Sequence, residues 1–327
     1  MTHKQRFAAT LRREKIGGRV PTFELVFFLT MELVGKVHPS QRHYRQWGQM
    51  SAKEKELQLR DIADALIEPI RMFDHSALFV HPNPYDFSSV KRLLEIIREK
   101  TGDELFLVMH GDTTLEIPNG QNMMDFSVKL YEEPESLIRQ QEKRMANQFD
   151  FSEKINRDGQ LLDGFALCSD YALNANPFFS PDVFAEVIAP VLQKTIDGYR
   201  ERGFYTITHS DGNLMPILDQ IVQCGPDAIH SVDPQGGMDL GLCKKRYGDK
   251  VAFIGNVNCG LLQTGTEEEA RADVLRALRD GMERGYGYIF STSNCVYTGM
   301  PLERYDMMVD LRNKYGWYED YQKNFGK

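Results

Sequence analysis

The feature that most constrains the fold is a regular alternation between short β-rich runs and longer helical patterns. Most of the short runs are nearly continuous stretches of apolar residues, as in "KVAFIGNVN" (250–258). Such stretches are typical of parallel strands that are buried on both faces. Eight strands are predicted on this basis, at 19–28, 76–82, 104–112, 163–170, 204–210, 227–233, 250–258 and 286–292. Eight strands that alternate with helices over about 300 residues predict an α/β fold, the (β/α)8 TIM barrel.

The intervening segments carry helix start and stop signals. Ser180 followed by Pro181 predicts an N-cap with a proline in the first turn, and Thr266 with Glu269 forms a capping-box pattern that ends near Gly285. A doubly wound sheet is the alternative fold. It usually has a glycine-rich first turn, and the segment "LTMELVGK" (29–36) is not glycine-rich. No linker divides the chain. We therefore predict a single barrel domain over 1–327 with an N-terminal helical extension.

Composition limits the possible partners and location. The 327 residues are 42% hydrophobic and carry a net charge of −8 with scattered basic residues, so nucleic acid is not expected as a partner. No apolar run approaches the ~18 residues of a membrane span, and the N-terminus lacks a signal-peptide pattern. Five widely spaced cysteines without an export signal predict reduced thiols. These features predict a cytoplasmic protein that contacts no membrane.

Two of the cysteines follow predicted neighbouring strands. Cys259 comes directly after the seventh strand and Cys295 after the eighth. The C-terminal ends of barrel strands form one rim, which holds the active site. Two thiolates with a carboxylate or an imidazole are ligands that zinc prefers. The alternative is that both are small apolar residues packed beneath the rim, the role that we expect for Cys168, Cys224 and Cys243.

Further polar residues fall at the predicted strand ends and are site candidates. Each could instead cap a helix or fix a loop. They are Glu24, His81, His110, Asp112, Asp170, His209, Asp211, Asn213, His230 and Asp233.

Four segments resemble the uroporphyrinogen decarboxylase superfamily: "DGFALCSDYALNANPFFSPDVFAEVIAPVLQKTID", "HSDGN", "IGNVNCGLLQTGTEEEARADVLRAL" and "GYGYIFSTSNCVYTGMPLERYDMMVDL". The resemblance implies a (β/α)8 barrel with a deep funnel and one of two chemistries. Decarboxylases of this superfamily carry an arginine-rich segment after the first strand and a histidine near the end of the eighth. Here 21–41 contains no arginine, and Asn294 and Cys295 occupy the second place. The resemblance therefore favours the corrinoid-dependent methyltransferase branch.

That branch implies zinc and a corrinoid. Members that methylate thiols have a His-x-Cys pair and a later cysteine, where this chain has His209, Asp211 and Cys295. Members that demethylate methoxylated aromatics use an acid and two cysteines, which Asp233, Cys259 and Cys295 match in order. The third zinc ligand stays open between Asp233 and His209. No D-x-H-x-x-G cobalamin pattern is present, so the corrinoid is expected on a separate carrier protein.

The resulting prediction is a zinc-dependent methyltransferase that acts between a small donor, such as a methoxylated aromatic, and the corrinoid of a transiently bound carrier. The alternatives are a decarboxylase and a non-catalytic tetrapyrrole-binding barrel. The expected catalytic residues are His209, Asp211 and Asp170. The expected substrate-binding residues are Glu24, His81, His110, Asn213 and Tyr297.

Overall fold

A parallel sheet of seven strands forms the centre of the molecule. The computed structural model describes residues 1–326, so the last residue of the predicted domain lies outside the described part. The sheet order is β1-β2-β3-β6-β7-β8-β9, and every neighbouring pair is parallel. A short antiparallel pair, β4-β5, follows β3. The strands are β1 (Ala77–Phe79), β2 (Phe106–His110), β3 (Gly164–Cys168), β4 (Ala172–Leu173), β5 (Asn176–Pro177), β6 (Tyr205–His209), β7 (Ala228–Ser231), β8 (Ala252–Val257) and β9 (Tyr288–Thr292).

Helices precede or follow each strand of this sheet. None of those in the described residues is both long enough and apolar enough to cross a membrane. The helices are α1 (His3–Leu11), α2 (Thr30–Val34), α3 (Ala52–Met72), α4 (Phe87–Thr101), α5 (Met123–Glu132), α6 (Pro134–Ile155), α7 (Pro181–Val183), α8 (Ala189–Glu201), α9 (Leu218–Gln223), α10 (Leu240–Tyr247), α11 (Cys259–Thr264), α12 (Glu267–Met282), α13 (Leu302–Tyr315) and α14 (Tyr321–Phe325).

Seven of the eight predicted strands are confirmed, and the first one, 19–28, is wrong as a regular strand. This segment makes only isolated bridges, two parallel ones to Phe290 and Val296 and one antiparallel one to Trp317. Its backbone nevertheless bonds on two sides, because the Phe290 N–H donates to Pro21 O (2.8 Å) and the Ser76 N–H donates to Thr22 O (2.8 Å). Pro21 has no N–H to donate to a ladder. Within residues 1–326, regular strands therefore do not close an eight-stranded barrel.

The helix signals of the sequence are confirmed. The Ser180 hydroxyl accepts from the Val183 N–H, and Pro181 is the first residue of α7. Thr266 and Glu269 form a reciprocal capping box at the start of α12. Gly285 has φ +72°, a left-handed conformation that glycine adopts without strain.

Alternate strand positions face two different layers. One layer packs against the surrounding helices and includes Leu78, Val80, Leu107, Met109, Phe165, Leu167, Phe253 and Val257. The other lies inside the curve of the sheet and includes Ala77, Phe79, Phe106, Val108, Ala166, Ile207, Ala228, Ala252 and Ile254. Phe7 of α1 packs on Phe106 near the start of β2 (ring centroids 4.8 Å apart). Helix α1 therefore covers the interior at the N-terminal end of the strands, and polar residues collect at the opposite end.

Candidate metal centre at the C-terminal rim

Three neighbouring strands end with polar side chains on the inner face. The backbone register pairs Cys168 with His209 and His209 with His230. These residues alternate correctly with Ala166, Ile207 and Ala228 of the inner layer. The interior just below the rim is therefore lined by a thiol and two imidazoles.

The loops that follow β3 and β6 bring two carboxylates to this place. Asp170, His209 and Asp211 each offer one ligand atom, and these atoms all lie within 4.8 Å of one another. Within residues 1–326, no other group of three potential metal ligands has its ligand atoms this close together. The His209 Nε2 atom lies 3.8 Å from Asp211 Oδ1. All three were predicted as catalytic residues, and the structure brings them together.

Hydrogen bonds orient the two carboxylates. The Ser231 hydroxyl donates to Asp211 Oδ1 at 3.0 Å, and the Asn294 amide donates to Asp211 Oδ2. The Asp211 N–H donates to Asp170 Oδ1 at 3.1 Å, so the two loops are tied directly. Burial raises the pKa of the Asp211 carboxyl, while the neighbouring His209 opposes this rise. Partners of this kind fix the direction in which a ligand atom points.

This donor set fits a divalent metal ion. One imidazole nitrogen and two carboxylate oxygens are typical ligands of zinc, and catalytic zinc takes three protein ligands with one position open. His209 is buried at the base of the group, whereas Asp170 is exposed at its mouth. A small molecule could therefore approach from the Asp170 side.

The predicted set of two thiols is not assembled in this way. Asp233, Cys259 and Cys295 form no group that meets the 4.8 Å distance, either with one another or with His209. Cys259 is 3% exposed and packs in the layer between sheet and helices. Its Sγ lies 3.6 Å from Cys295 O and accepts from the Ser293 hydroxyl at 3.6 Å. Cys259 corresponds to the alternative of a small apolar residue, and burial raises its pKa to about 11.

Cys295 is placed differently from Cys259. It is half-buried and packs against the inner layer of the sheet. Burial, followed by the charges of Cys259 and Asp211, raises the pKa of its thiol to about 12. Cys168 packs against the inner layer, and Cys224 and Cys243 are buried in the outer layer, so all three pack against the core as expected.

Asp233 and Asn213 fix loops. The two oxygens of Asp233 accept from the backbone N–H groups of Gly212 (3.1 Å) and Gln235 (2.9 Å). The Asn213 amide donates to Ala175 O (3.1 Å), and its oxygen accepts from the Met215 N–H. Their hydrogen-bonding groups are occupied within the protein.

A polar cavity of about 380 Å³ reaches one of the three candidate ligands, Asp211. It is lined by Asn174, Asp211, Asp233, Gln235, Ser293, Asn294 and Tyr297. The lining contains no lysine or arginine. Tyr297, a predicted substrate-binding residue, is in a suitable place to contact a small molecule there.

Glu24 is not placed to bind substrate directly. It is 3% exposed and accepts hydrogen bonds from Ser291, Thr292 and Tyr305. Burial raises its pKa to about 7, although these hydrogen bonds oppose the rise. Glu24 lies beneath the rim, where β9 and α13 cover it.

His81 and His110 lie on a different part of the rim. They line a cavity of about 420 Å³ at the ends of β1 and β2. The other lining residues are Phe79, Val80, Pro82, Tyr85, Val90, Met109, Asn147, Gln148 and Phe151, so no formally charged Lys, Arg, Asp or Glu is present. His81 packs over Phe79 (ring centroids 4.4 Å apart), and burial lowers its pKa to about 4.

Three contributors to the site had no role assigned to them from the sequence, although His230 was among the strand-end candidates. His230 contacts His209 directly, and Ser231 and Asn294 hold Asp211. The two-residue period of β6 and β7 could have indicated that His230 shares a face with His209. Nothing in the sequence places Asn294 against Asp211, because the two are 83 residues apart.

Comparison with known proteins supports the family and the fold. A family model described as uroporphyrinogen decarboxylase (URO-D) matches residues 160–315. No curated protein sequence matches the chain. A methyltransferase from Methanosarcina mazei has a similar structure, with a TM-score of 0.72 at 18% identity, over 96% of this chain and 99% of that one.

Two other structures are more distant. An N-acetylneuraminate lyase from Fusobacterium nucleatum has a TM-score of 0.40 at 11% identity over 82% of this chain and 73% of that one. An L-ribulose 3-epimerase has a TM-score of 0.44 at 12% identity over 81% and 86%. Neither likeness supports a conclusion. The match of residues 160–315 to the uroporphyrinogen decarboxylase (URO-D) family model agrees with the resemblance seen in the sequence.

Proposed function

We propose that this protein is a zinc-dependent methyltransferase that moves a methyl group between a small donor and the corrinoid of a separate carrier protein. The observation that carries this proposal is the cluster of Asp170, His209 and Asp211 at the rim of a URO-D domain. The likeness of fold to the Methanosarcina mazei methyltransferase supports the reaction class. We take the whole chain, 1–327, to act as one (β/α)8 unit in the cytoplasm. The five free cysteines are compatible with that reducing compartment.

The three clustered residues would hold the metal in place of the thiol set. When bound, zinc would act as a Lewis acid that stabilises charge developing on the donor's oxygen. Ser231 and Asn294 keep the Asp211 carboxylate in its place, and the buried His209 presents its ring from below. Tyr297 lines the adjacent cavity, where its hydroxyl could donate to a donor molecule.

The lining of the cavity at β1 and β2 supports one class of substrate, a neutral aromatic molecule. Its floor is apolar, with Val80, Met109 and Phe151, and its polar groups are amides and imidazoles that carry no formal charge. A carboxylate or a phosphate would meet no cationic partner there. A neutral ring with one or two hydrogen-bonding groups matches this lining, which supports a methoxylated aromatic donor.

The same linings argue against decarboxylation of a polyacidic tetrapyrrole. Neither cavity contains lysine or arginine, and the polar one contains Asp211 and Asp233. Several substrate carboxylates would therefore be unpaired or repelled. No observation favours a non-catalytic tetrapyrrole-binding role either, and the metal analysis below separates that role from catalysis.

Exposed apolar side chains support a docking surface for the carrier. Met124, Val128 and Tyr131 are 81%, 52% and 84% exposed on one helix, α5, which buries no residue of its own. Helix α5 belongs to the connection that leaves the C-terminal end of β2. Exposed apolar groups at the mouth of a funnel are typical of a transient protein contact.

Metal content and methyl transfer provide the test. The purified protein is expected to carry about one zinc ion per chain and to methylate a reduced corrinoid carrier from a panel of methoxyaromatics, followed by the methylcobalt spectrum. Asp211→Asn should lose both properties, whereas Cys259→Ser, a change of a buried strand-end residue, should keep both. A folded protein with neither metal nor transfer would overturn the proposal. If Cys259→Ser lost the metal and Asp211→Asn kept it, the zinc ligands would instead be the set that contains the two thiols.

A further inference from the structure

A line of hydrogen-bonded side chains runs beneath the rim from Glu24 to His209. Glu24 Oε2 lies 3.2 Å from Ser291 Oγ, and Ser291 Oγ lies 3.4 Å from His230 Nε2. The Nδ1 atoms of His230 and His209 are 2.8 Å apart. All four side chains are buried, with exposed fractions between 0 and 6%. Each must therefore find its partners within this line or its immediate surroundings.

The carboxylate of Glu24 determines the direction of the Ser291 hydroxyl proton. Glu24 is approached by the Ser291 hydroxyl, the Tyr305 hydroxyl (3.1 Å), and the N–H (3.3 Å) and hydroxyl (2.5 Å) of Thr292. The Thr292 hydroxyl also lies 2.9 Å from Asn294 O, and the Tyr305 hydroxyl 2.9 Å from His75 Nε2, but an ionised carboxylate has no proton to donate and can only accept. The single proton of Ser291 then points to Glu24. The Ser291 oxygen can only accept from His230, so the His230 proton must be on Nε2.

The next two proton positions follow from the first. His230 is fully buried, and its ring contacts the Ser291 hydroxyl and the His209 ring with no carboxylate in direct contact, so a charged ring there would lack an anionic partner. A neutral imidazole has one N–H, so a proton on Nε2 leaves Nδ1 of His230 bare. The contact of 2.8 Å between the two Nδ1 atoms needs one proton, and His209 must supply it.

The surroundings of the other ring nitrogen of His209, Nε2, agree with this assignment. In the tautomer that has its one proton on Nδ1, the Nε2 atom of His209 carries a lone pair. Nε2 lies 3.8 Å from Asp211 Oδ1, which is too long for a hydrogen bond to a carboxylate. An N–H directed at that oxygen would be drawn to about 2.8 Å. The lone pairs of His209 Nε2 and Asp211 Oδ1 therefore face the same point, as the lone pairs of two metal ligands would.

We propose that Glu24, Ser291 and His230 are positioning residues that hold His209 in its Nδ1–H tautomer, so that its Nε2 lone pair faces Asp170 and Asp211. The use of this lone pair as a metal ligand rests on the proposed function, but the tautomer itself does not. Outer partners of this kind typically change metal affinity by about 10–100-fold. The arrangement places a positioning carboxylate on the opposite wall of the interior, three contacts from the candidate ligand.

The direct test is the position of the ring protons in the metal-free protein. Histidine labelled with ¹⁵N and two-bond ¹H–¹⁵N spectra at about pH 8, above the pKa of Glu24, report which nitrogen carries hydrogen. The expected result is a bare Nε2 in His209 and a bare Nδ1 in His230. A proton on Nε2 of His209 in the wild-type protein would overturn the proposal without any variant.

A set of serine variants tests the relay. Ser291→Ala should mix the two tautomers of His209 and weaken zinc binding, measured by chelator competition, by about 10-fold. Ser291→Thr keeps the hydroxyl and should restore both properties. Ser152→Ala removes another fully buried serine hydroxyl, bonded to Phe149 O in α6, and should change neither.

The possible failures are distinguishable. An unchanged His209 spectrum in Ser291→Ala would disprove the relay even if the metal is bound. Absence of methyl transfer with the predicted tautomer intact would count against the proposed function and leave the relay standing.

Discussion

The two sides of the C-terminal rim differ in charge and in hydrogen bonding. At β3, β6 and β7 the polar groups are ionisable and tied to one another, as in Asp170, His209 and Asp211. At β1 and β2 the histidines His81 and His110 line an apolar cavity without formally charged neighbours. The first arrangement suits a fixed set of ligands, and the second suits selection of a neutral molecule. The difference indicates that one rim can separate the chemistry from the recognition of the donor.

The largest contrast is expected between histidines on the two sides. His209→Gln should reduce zinc affinity by more than about 100-fold, because it removes a ligand and not only an outer partner. His110→Gln should leave the metal content unchanged and raise only the KM for the donor. Equilibrium dialysis and steady-state kinetics provide the readouts. Equal loss of metal in both variants would remove the distinction between the two sides.

The second contrast concerns the pKa of Glu24, which lies beneath the charged side of the rim. Its pKa in the folded protein, about 7, is above the ordinary value of 4.5. The folded state therefore binds this proton more tightly, and the contribution to stability is present below pH 4.5 and lost as the pH rises through 7. The loss amounts to about 3 kcal/mol.

Glu24→Gln should remove this dependence. The buried histidines, such as His75, have lowered pKa values and act in the opposite direction, since their contribution is lost as the pH falls. The difference in free energy of unfolding between wild type and Glu24→Gln isolates the Glu24 effect. Denaturant titrations across this pH range should show the wild type losing stability relative to the variant. A constant difference would indicate an unshifted carboxyl.

The third contrast concerns the uncharged side alone. Gln148→Trp, on α6, should fill part of the 420 Å³ cavity and raise the KM for a methoxyaromatic donor by about 20-fold, with zinc content unchanged. Gln140→Trp provides the matched control, because it lies on the same helix but does not line the cavity. Equal kinetics in the two variants would place the donor elsewhere.

The smallest effect is expected at the mouth. Tyr131→Glu on α5 should raise the KM for the corrinoid carrier by up to about 10-fold and leave transfer to free cobalamin unchanged. Met72→Glu is the control, since Met72 is also exposed (60%) but lies where α3 leads into the opposite end of β1. A similar loss in both variants would argue against a specific docking surface.

The thiol prediction shows where reasoning from sequence stopped. Because the seventh strand is apolar at almost every position, its composition does not tell which face is the interior. In the structure, Val257 faces the helices, and Cys259 packs in the same outer layer. The strand end was located correctly, but the direction of the side chain was not.

The candidate ligands were individually visible in the sequence as residues that follow strands. Asp170 and Asp211 could equally have been helix caps or loop anchors. Their pairing depends on the Asp211 N–H reaching Asp170 across two loops that are 41 residues apart. Loop conformation is set by such tertiary bonds and not by local propensity, so the cluster could not be read from either loop alone.

Seven of the eight strands, the helix caps and the lack of arginine in 21–41 could be read from the sequence, because they depend on local pattern and residue type. The folded chain was needed to show that Glu24 contacts Thr292, that His230 contacts His209, and that Asp170 and Asp211 come together. The physical reason is that a parallel sheet buries both of its faces. The hydrophobic effect then fixes where the strands are, and the direction of each polar side chain follows from hydrogen bonds made with distant parts of the chain.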